Sequence, residues 1–237
     1  MAQPSLPQNL GLKSLAVFDN LLAEDRLKHQ PIMEEIIEVN GLGPALVLHT
    51  RLFARQTDDL DLSDITAAQA VMSALDENTP QWVTYNCGTE AGASQGHKHM
   101  QIFALPTPFE LFPEAAPQGR GCITTNISGV PFKHFVTRLP QNAQATEIQD
   151  IYDRPLRAMR AEQDLITDVR AYNFMFLDNW LAVIPQRRGR NGKVGVNSAG
   201  MLGVVWVASE EERAAWDELG PVDHLQYVGI PNIPTRS

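Results

Sequence analysis

This chain of 237 residues has little cysteine, little positive charge and no long apolar run. Its two cysteines, Cys87 and Cys122, form no disulfide framework and no C-x-x-C zinc pattern. The formal net charge of −9 argues against a general nucleic-acid-binding protein, because such proteins neutralise phosphates with lysine and arginine. No segment resembles a transmembrane helix or a secretory signal. We therefore expect a cytoplasmic monomer, with the nucleus as an alternative location, that has no nucleic-acid or membrane partner.

The composition and the apolar periodicity predict an α+β fold. Hydrophobic residues make up 43% of the chain, which is enough for a sizeable core. Helical spacing predicts helices in the first forty residues up to Pro31, from Ser63 as N-cap, from about Thr146 to Gln163, and after Ser209. Strands are predicted at 45–50, 81–86, 97–105 and 131–139, and two more turn at Asp178 and Asn179.

A segment rich in proline and glycine, residues 106–121, is the predicted linker between two halves. On each side, a strand with a tyrosine–asparagine pair precedes a strand that ends in proline: Tyr85–Asn86 to Pro106, and Tyr172–Asn173 to Pro185. This shared order is compatible with two related halves. We place the first at 1–110 and the second at 119–237.

The run "GASQGHKHMQ" carries the chemistry of the first half. Because strand side chains alternate between faces, His97, His99 and Gln101 share one face, which we expect to line a cleft. Met100 and Ile102 then pack inward. The small residues before the strand, Gly92, Ala93, Ser94, Gln95 and Gly96, allow backbone N–H groups to approach a phosphate. The pattern therefore predicts a site for a phosphorylated ligand.

A neutral imidazole can attack an α-phosphate, expel the rest of a polyphosphate and form a nucleotidyl-histidine. A glutamine two residues on can donate a hydrogen bond to the nonbridging oxygens as charge develops. The other histidine of the pair can orient the nucleophile or contact the phosphate. Two other interpretations remain open at this point: a metal-binding H-x-H pair, and histidines with a purely structural role.

These residues resemble the diadenosine tetraphosphate phosphorylase family (ATP adenylyltransferases) of the histidine-triad superfamily. The segments "YNCG", "GASQGHKHMQIFALP", "PFKHF", "YNFMFLDNWLAVIPQR", "VNSAGMLGVV" and "VGIP" follow the order of that family. The resemblance implies two histidine-triad-like halves, antiparallel sheets with helices packed on one side. It also implies cleavage of diadenosine tetraphosphate by inorganic phosphate to ATP and ADP, reversibly, through an adenylylated histidine.

By matching position, the resemblance makes His99 the nucleophile and His97 a supporting residue. It implies substrate contacts from Asn86, Gly92, Ala93, Ser94, Gln95, Gln101, Asn197, Ser198 and Ala199. It also implies a divalent cation, magnesium or manganese, that binds with the substrate, and no organic cofactor. The ligands are then a dinucleoside polyphosphate, ATP, ADP and phosphate.

Two departures from the family pattern motivate rival functions. Ala208 stands where a lysine is expected at the end of a strand after "NSAG", and the segment before Leu46 lacks the family's "LNK" strand and basic residues. Lys133, Arg187 or Arg188 could replace the missing cations. One rival is a non-catalytic nucleotide-binding member of the family, and the other is a sugar-1-phosphate nucleotidyltransferase. A histidine-triad hydrolase fits less well, because such enzymes carry a third histidine where Gln101 stands.

Overall fold

The computed structural model describes residues 32–39, 43–75, 80–105, 110–119, 121–207 and 209–232. The helix predicted before Pro31 and the departure at Ala208 lie outside these residues. In the described part, no helix is both long and apolar enough to cross a lipid bilayer.

The residues that the structure describes form ten strands and five α-helices. The strands are β1 Ile32–Val39, β2 Gly43–Thr50, β3 Gln81–Cys87, β4 His99–Ala104, β5 Ile123–Thr124, β6 Phe135–Arg138, β7 Tyr172–Phe176, β8 Trp180–Pro185, β9 Arg190–Asn191 and β10 Val194–Gly195. The helices are α1 Leu62–Ala74, α2 Ala145–Gln163, α3 Ser198–Met201, α4 Glu210–Leu219 and α5 Pro221–Val228.

Eight strands form one antiparallel sheet in the order β1-β2-β4-β3-β7-β8-β6-β5. Strands β1 to β4 come from the first half and β5 to β8 from the second, and the order of one half mirrors that of the other. The halves join where β3 pairs with β7, with Asn86 opposite Asn173. The two tyrosine–asparagine pairs of the sequence therefore meet at the centre of a continuous sheet.

The two long helices, α1 and α2, cover one face of the sheet. Their apolar residues pack against Val83, Tyr85, Met100 and Ile102, all of which are almost fully buried. Capping differs from the prediction at α1, because Asp61 and not Ser63 is its N-cap. The Asp61 carboxylate accepts the backbone N–H of Asp64 while the Asp64 carboxylate accepts that of Asp61, and this reciprocal pair fixes the start of the helix.

The opposite face carries a second apolar core with the short helices α3 to α5. Trp82, Phe103 and Met175 of the sheet pack there with Met201 and Trp216. The strand expected after residue 200 is absent: Ser198–Met201 is helical, and residues 202–207 have no regular structure.

The second part of the connection between the halves, around residues 111–116, packs against the sheet. A short 3₁₀ helix, Phe112–Ala115, lies there. The carboxylate of Glu114 accepts hydrogen bonds from Arg138 at 3.1 Å and from the Trp180 indole at 2.7 Å. This part of the predicted linker is therefore a packed element of the fold.

Candidate active site

Three histidines meet on the face of the sheet that carries the second core. His99 opens β4 and His97 precedes it by two residues, so the predicted pair is brought together. A third, His49, lies on β2 directly opposite His99. Its ring centroid is 5.8 Å from those of both His97 and His99. No partner for His49 can be recognised from sequence alone, because this contact depends on the register between two strands that are far apart in the chain.

The protonation of His99 follows from its hydrogen bond. Its Nδ1 is 2.9 Å from the carbonyl oxygen of His97. A carbonyl can only accept, so Nδ1 carries the hydrogen and Nε2 keeps its lone pair. His99 is 5% exposed, and this burial lowers the pKa of its imidazole. The charges of His49 and His97 lower it further, against the opposing effect of the His97 carbonyl. His99 therefore favours the neutral form that can act as a nucleophile.

Gln56 holds the backbone of His99 in place. Its side-chain oxygen accepts the His99 backbone N–H at 2.7 Å, and its amide group donates to the carbonyls of His99 and Asn86 at 3.1 and 2.8 Å. A buried side chain thus fills the gap where β3 and β4 part. Sequence analysis missed Gln56, since only the folded chain brings it between these strands.

The alternation predicted for β4 is confirmed. Met100 and Ile102 are 2% and 1% exposed in the helix-facing core. Gln101 is half-buried on the histidine face. Lys98, on the helix side, forms a buried ion pair with Asp64 of α1 at 2.5 Å. This pair anchors the residue between the two histidines to the helix layer.

The small-residue loop before β4 packs closely against the second half of the chain. Gly92 has a φ of 86°, and a Cβ there would lie 2.4 Å from the carbonyl oxygen of Val196 and 2.8 Å from Cα of Asn197. Only glycine suits this position. Ala93 is half-buried, and Ser94, Gln95 and Gly96 are exposed. The loop therefore presents its backbone to solvent beside the histidines while its base is fixed.

Asn86 connects the two halves at the base of the site. Its side-chain oxygen accepts from the backbone N–H of Ser198 at 2.8 Å and from the Asn173 amide at 3.0 Å. The Asn173 amide also donates to the carbonyl of Ala91 in the small-residue loop. The first contribution of Asn86 is thus to position the loop and α3.

The "NSA" stretch opens α3 close to that loop. Asn197 is the N-cap, and its side-chain oxygen accepts the backbone N–H of Gly200 at 3.1 Å. Ser198 and Ala199 are each only 1% exposed, and Ala199 packs in the second core. Direct contact of these three residues with a nucleotide stays a prediction. Their position shows how the second half borders the site.

The cations considered as replacements for the missing lysines have other partners. Lys133 pairs with Glu162 at 2.7 Å. Arg187 and Arg188 donate to the carbonyl of Tyr227 at 3.1 and 3.3 Å. Arg190, further along the same loop, borders the cavity that lies beside the small-residue loop, together with Gly189 and Glu90.

Two other residues with titratable side chains, His134 and Cys87, are held in the interior of the fold. His134 is fully buried, and its Nε2 accepts the backbone N–H of Ile127 while its Nδ1 donates to the carbonyl of Phe132. Burial raises the pKa of the Cys87 thiol to about 12, so the thiol is protonated and unreactive at neutral pH.

No cluster of three or more histidine, cysteine, aspartate or glutamate side chains in the described ranges is arranged to hold a metal ion. In the described residues, the histidine face therefore offers imidazole and amide groups and no cluster of the carboxylates that magnesium prefers.

Comparison with known proteins agrees with this arrangement. The Ap4A phosphorylase N-terminal domain matches residues 38–116, and the ATP adenylyltransferase C-terminal domain matches residues 128–231. The chain belongs to the ATP adenylyltransferase (Ap4A phosphorylase) family. The resemblance seen in the sequence is thereby confirmed.

Curated relatives of this chain include two proteins of Saccharomyces cerevisiae. Protein APA1 is 28% identical over 216 residues, which cover 80% of this chain and 67% of APA1. Diadenosine tetraphosphate phosphorylase 2 is 27% identical over 214 residues, which cover 78% of this chain and 66% of the relative. The chain thus spans about two thirds of the length of these relatives.

Solved structures of a family member share the fold. Yeast Ap4A phosphorylase Apa2 in complex with AMP has a TM-score of 0.71 at 20% identity, covering 98% of this chain and 100% of that chain. Its complex with Ap4A has a TM-score of 0.69 at 21% identity, covering 96% and 99%. The predicted α+β class is confirmed, with the two four-stranded halves fused into one sheet.

Proposed function

We propose that this chain cleaves diadenosine tetraphosphate with inorganic phosphate to ATP and ADP, reversibly, through an adenylyl group on His99. The observation that carries the proposal is the hydrogen bond from His99 Nδ1 to the His97 carbonyl, 2.9 Å long, which leaves Nε2 unprotonated. The yeast relative named diadenosine tetraphosphate phosphorylase 2 supports the choice of substrate.

In the first step, the Nε2 lone pair of His99 attacks the α-phosphorus of one adenosine. The N–P bond forms as the bond from that phosphorus to the bridging oxygen breaks, and ATP leaves with the electron pair. Gln101, half-buried on the same face, donates to the nonbridging oxygens. The backbone N–H groups of residues 93–96 receive the remaining phosphates.

In the second step, an oxygen of inorganic phosphate attacks the same phosphorus. The N–P bond breaks, ADP is released, and the electron pair returns to Nε2. The Nδ1–H group of His99 keeps its hydrogen bond to the His97 carbonyl through both steps, so the His99 ring does not rotate between them. His97 is a positioning residue in this scheme, because its carbonyl acts through His99.

A divalent cation is proposed to enter with the substrate. The described residues provide no cluster of carboxylates for it. Magnesium commonly keeps several waters and binds through substrate phosphates, so a polyphosphate can bring its own cation. Such a cation would neutralise phosphate charge at the two places where this sequence departs from the cationic pattern of the family.

Trapping the intermediate tests the proposal. Diadenosine tetraphosphate labelled in its α-phosphates, mixed with protein and magnesium without phosphate, should label the protein with an acid-labile, alkali-stable adduct. Adding phosphate should release that label as ADP, and ATP plus ADP should accumulate only when phosphate is present. We expect His99→Asn to form no adduct and to lose at least about 10³-fold in turnover.

Two results would contradict the proposal. One is an adduct of equal yield in His99→Asn with its fold intact by circular dichroism. The other is binding of the labelled substrate with no product, which would favour the non-catalytic alternative. A third assay replaces inorganic phosphate by a hexose phosphate as the acceptor. Faster turnover with the hexose phosphate would favour the sugar-1-phosphate nucleotidyltransferase alternative.

A further inference from the structure

The segment that carries Gln56 passes from the histidine face of the sheet to the helix face. At its start, the Gln56 backbone N–H donates to the carbonyl of Gly96 in the small-residue loop at 2.9 Å. At its end, the carbonyl of Asp59 accepts from the Lys98 ammonium at 2.8 Å, on the side of the sheet that faces α1. The residues 56–59 therefore cross the end of the sheet beside His99, and their carbonyl groups are within reach of side chains in the helix-facing core.

Tyr85 of β3 holds the backbone of this segment. It is 0% exposed and packs in the helix-facing core, while its neighbour Asn86 lies on the site face, since adjacent strand residues point to opposite faces. The Tyr85 hydroxyl lies 2.8 Å from the carbonyl oxygen of Gln56 and 2.6 Å from that of Asp58. A carbonyl can only accept, so the hydroxyl donates its hydrogen to this pair. Burial raises the pKa of the Tyr85 phenol, so the hydroxyl keeps that hydrogen at neutral pH.

The Gln56 side chain connects this restraint to His99. It is 3% exposed, and its oxygen accepts the His99 backbone N–H at 2.7 Å. The Gly88 backbone N–H also donates to the Gln56 carbonyl, at 3.2 Å. Because Tyr85 and Gly88 both donate to that carbonyl, the position of the Gln56 amide relative to the sheet is fixed. A shift of Gln56 would move the His99 backbone and change the 2.9 Å bond from His99 Nδ1 to the His97 carbonyl.

The second half of the chain holds the far end of the segment. The Asp59 carboxylate accepts from the Tyr172 hydroxyl at 2.9 Å and from the Arg160 guanidinium at 2.6 Å. Tyr152 of α2 is 0% exposed, and its hydroxyl oxygen lies 2.6 Å from that of Tyr172. The segment is therefore held at Asp59 independently of Tyr85, so loss of the Tyr85 hydroxyl should not detach it from the sheet.

We propose that Tyr85 is a positioning residue for adenylyl transfer, which acts from the helix face of the sheet through Gln56 on His99. This inference rests on the proposed function, because it takes His99 as the nucleophile. It goes further by assigning a part in the reaction to a side chain on the face of the sheet opposite the substrate. The hydrogen bond from Tyr85 then determines how the His99 backbone, and with it the imidazole, faces the α-phosphorus.

Two variants that each remove one buried hydroxyl test this. Tyr85→Phe keeps the ring but loses the contact with Gln56, and its matched control, Tyr152→Phe, removes an equally buried hydroxyl from the same core. Both should lower the urea midpoint of unfolding by a similar amount. We expect Tyr85→Phe to slow the labelling of His99 at saturating diadenosine tetraphosphate by about tenfold, because the nucleophile is displaced. The half-saturating substrate concentration should change by less than about twofold, and Tyr152→Phe should be labelled at the wild-type rate.

A double-mutant cycle tests the route through Gln56. Gln56→Met keeps the length of the side chain and removes its amide, so Tyr85 loses the group through which it acts. In the Gln56→Met background, Tyr85→Phe should therefore change the labelling rate by less than about twofold. A loss in that background as large as in the wild-type background would overturn the inference, because Tyr85 would then act independently of Gln56.

Nuclear magnetic resonance of protein with labelled histidine nitrogens reports the His99 ring without any turnover. The Nδ1–H tautomer should dominate in the wild type and in Tyr152→Phe, and the Nε2–H tautomer should gain population in Tyr85→Phe. No turnover of diadenosine tetraphosphate by the wild-type protein would overturn the proposed function itself. An active wild type, with the labelling rate and the His99 tautomer unchanged in Tyr85→Phe, would overturn the positioning inference alone. An equal loss of labelling rate in Tyr85→Phe and Tyr152→Phe would overturn it too.

Discussion

His99 combines burial with a bond that fixes where its hydrogen lies. Burial lowers the pKa of the imidazole, and the nearby charges of His49 and His97 act in the same direction. A lowered pKa keeps the neutral ring populated at pH values where an exposed histidine would be protonated. The same surroundings that hide His99 from solvent therefore keep it nucleophilic.

The pH profile of adenylyl transfer should report this. The proposed reaction needs neutral His99, so the acid limb of kcat/KM should lie below the ordinary histidine value of 6.5. His49→Gln removes an imidazole 5.8 Å from the ring whose electrostatic effect lowers the pKa of His99, so that pKa should rise and the acid limb should move to higher pH. A profile of kcat/KM from pH 4.5 to 8 checks this, and a shift toward lower pH would contradict it.

Whether a residue of the site could be predicted from the sequence depends on how far apart in the chain the residues in contact lie. Alternation along one strand was enough to place His97, His99 and Gln101 on one face and Met100 on the other. His49 and Gln56 contact His99 through the pairing of separate strands. No local sequence pattern distinguishes His49 and Gln56 from other histidines and glutamines. Their contacts with His99 are seen only once the pairing of the strands is known.

The small-residue loop and α3 act as one unit at the scale of elements. Gly92 touches Val196 and Asn197, and Asn86 links Ser198 to the loop through Asn173. The backbone of the small-residue loop is therefore shaped by the second half of the chain. A change at this junction should reach the site without touching His99.

Gly92→Ala tests that junction. The new methyl would lie 2.4 Å from the Val196 carbonyl, on a backbone with positive φ, so loop and α3 must separate. We expect a loss of roughly 1–3 kcal/mol in stability and a fall in kcat/KM of at least about tenfold. Gly96→Ala, four residues on, has nothing within 4 Å of its Cβ and should leave the stability unchanged. An equal loss of stability in the two variants would contradict this account.

Strand β4 is tied to α1 by a buried charge pair. Lys98 and Asp64 are 5% and 4% exposed and lie 2.5 Å apart. Burial raises the pKa of the Asp64 carboxyl, while Lys98 lowers it. The buried Asp64 carboxylate therefore depends on Lys98 to remain charged.

Lys98→Met should leave the buried Asp64 carboxylate without its ion-pair partner. We expect the free energy of unfolding to fall by roughly 3–5 kcal/mol. Without Lys98 the pKa of Asp64 rises further, so the defect should grow as pH rises and shrink in acid. Urea unfolding at pH 5 and pH 8 measures both effects. Lys133→Met, at a partly exposed pair, should cost less than about 1 kcal/mol. Adding Asp64→Asn should recover part of the stability, and a larger defect at pH 5 would contradict the assignment.

Elements with strong local signals were predicted well, and those shaped by packing were not. The helix from Thr146 and the turn at Asp178 and Asn179 agree with α2 and with the β7–β8 hairpin. The N-cap of α1 moved to Asp61, since both Asp61 and Ser63 are good caps and the reciprocal bond with Asp64 decides between them. The strand that the family resemblance implied after "NSAG" is not formed over residues 202–207, where the backbone is irregular and Trp206 packs on Phe103.

At the scale of the whole molecule, the two halves share one sheet. Strand β3 pairs with β7 over five residues, and at the centre Asn86 and Asn173 are joined through their side chains. Most of the site comes from the first half, while α3, the cavity wall and the support for the small-residue loop come from the second. The division proposed from the sequence, 1–110 and 119–237, therefore describes the chain order rather than two independent sites.

Separating the halves should abolish folding of both. A fragment of residues 1–119 would expose the β3 edge and leave the Asn86 side chain without Asn173 and Ser198, and a fragment of residues 121–237 would expose the β7 edge. We expect the intact chain to unfold in one transition, seen at the same temperature by far-UV and near-UV circular dichroism. Each fragment alone should show no cooperative transition, and mixing them during refolding should restore it. Two separate transitions in the intact chain would instead mean that β3 and β7 pair too weakly to couple the halves. In that case the second half could not hold Gly92 and the small-residue loop in place.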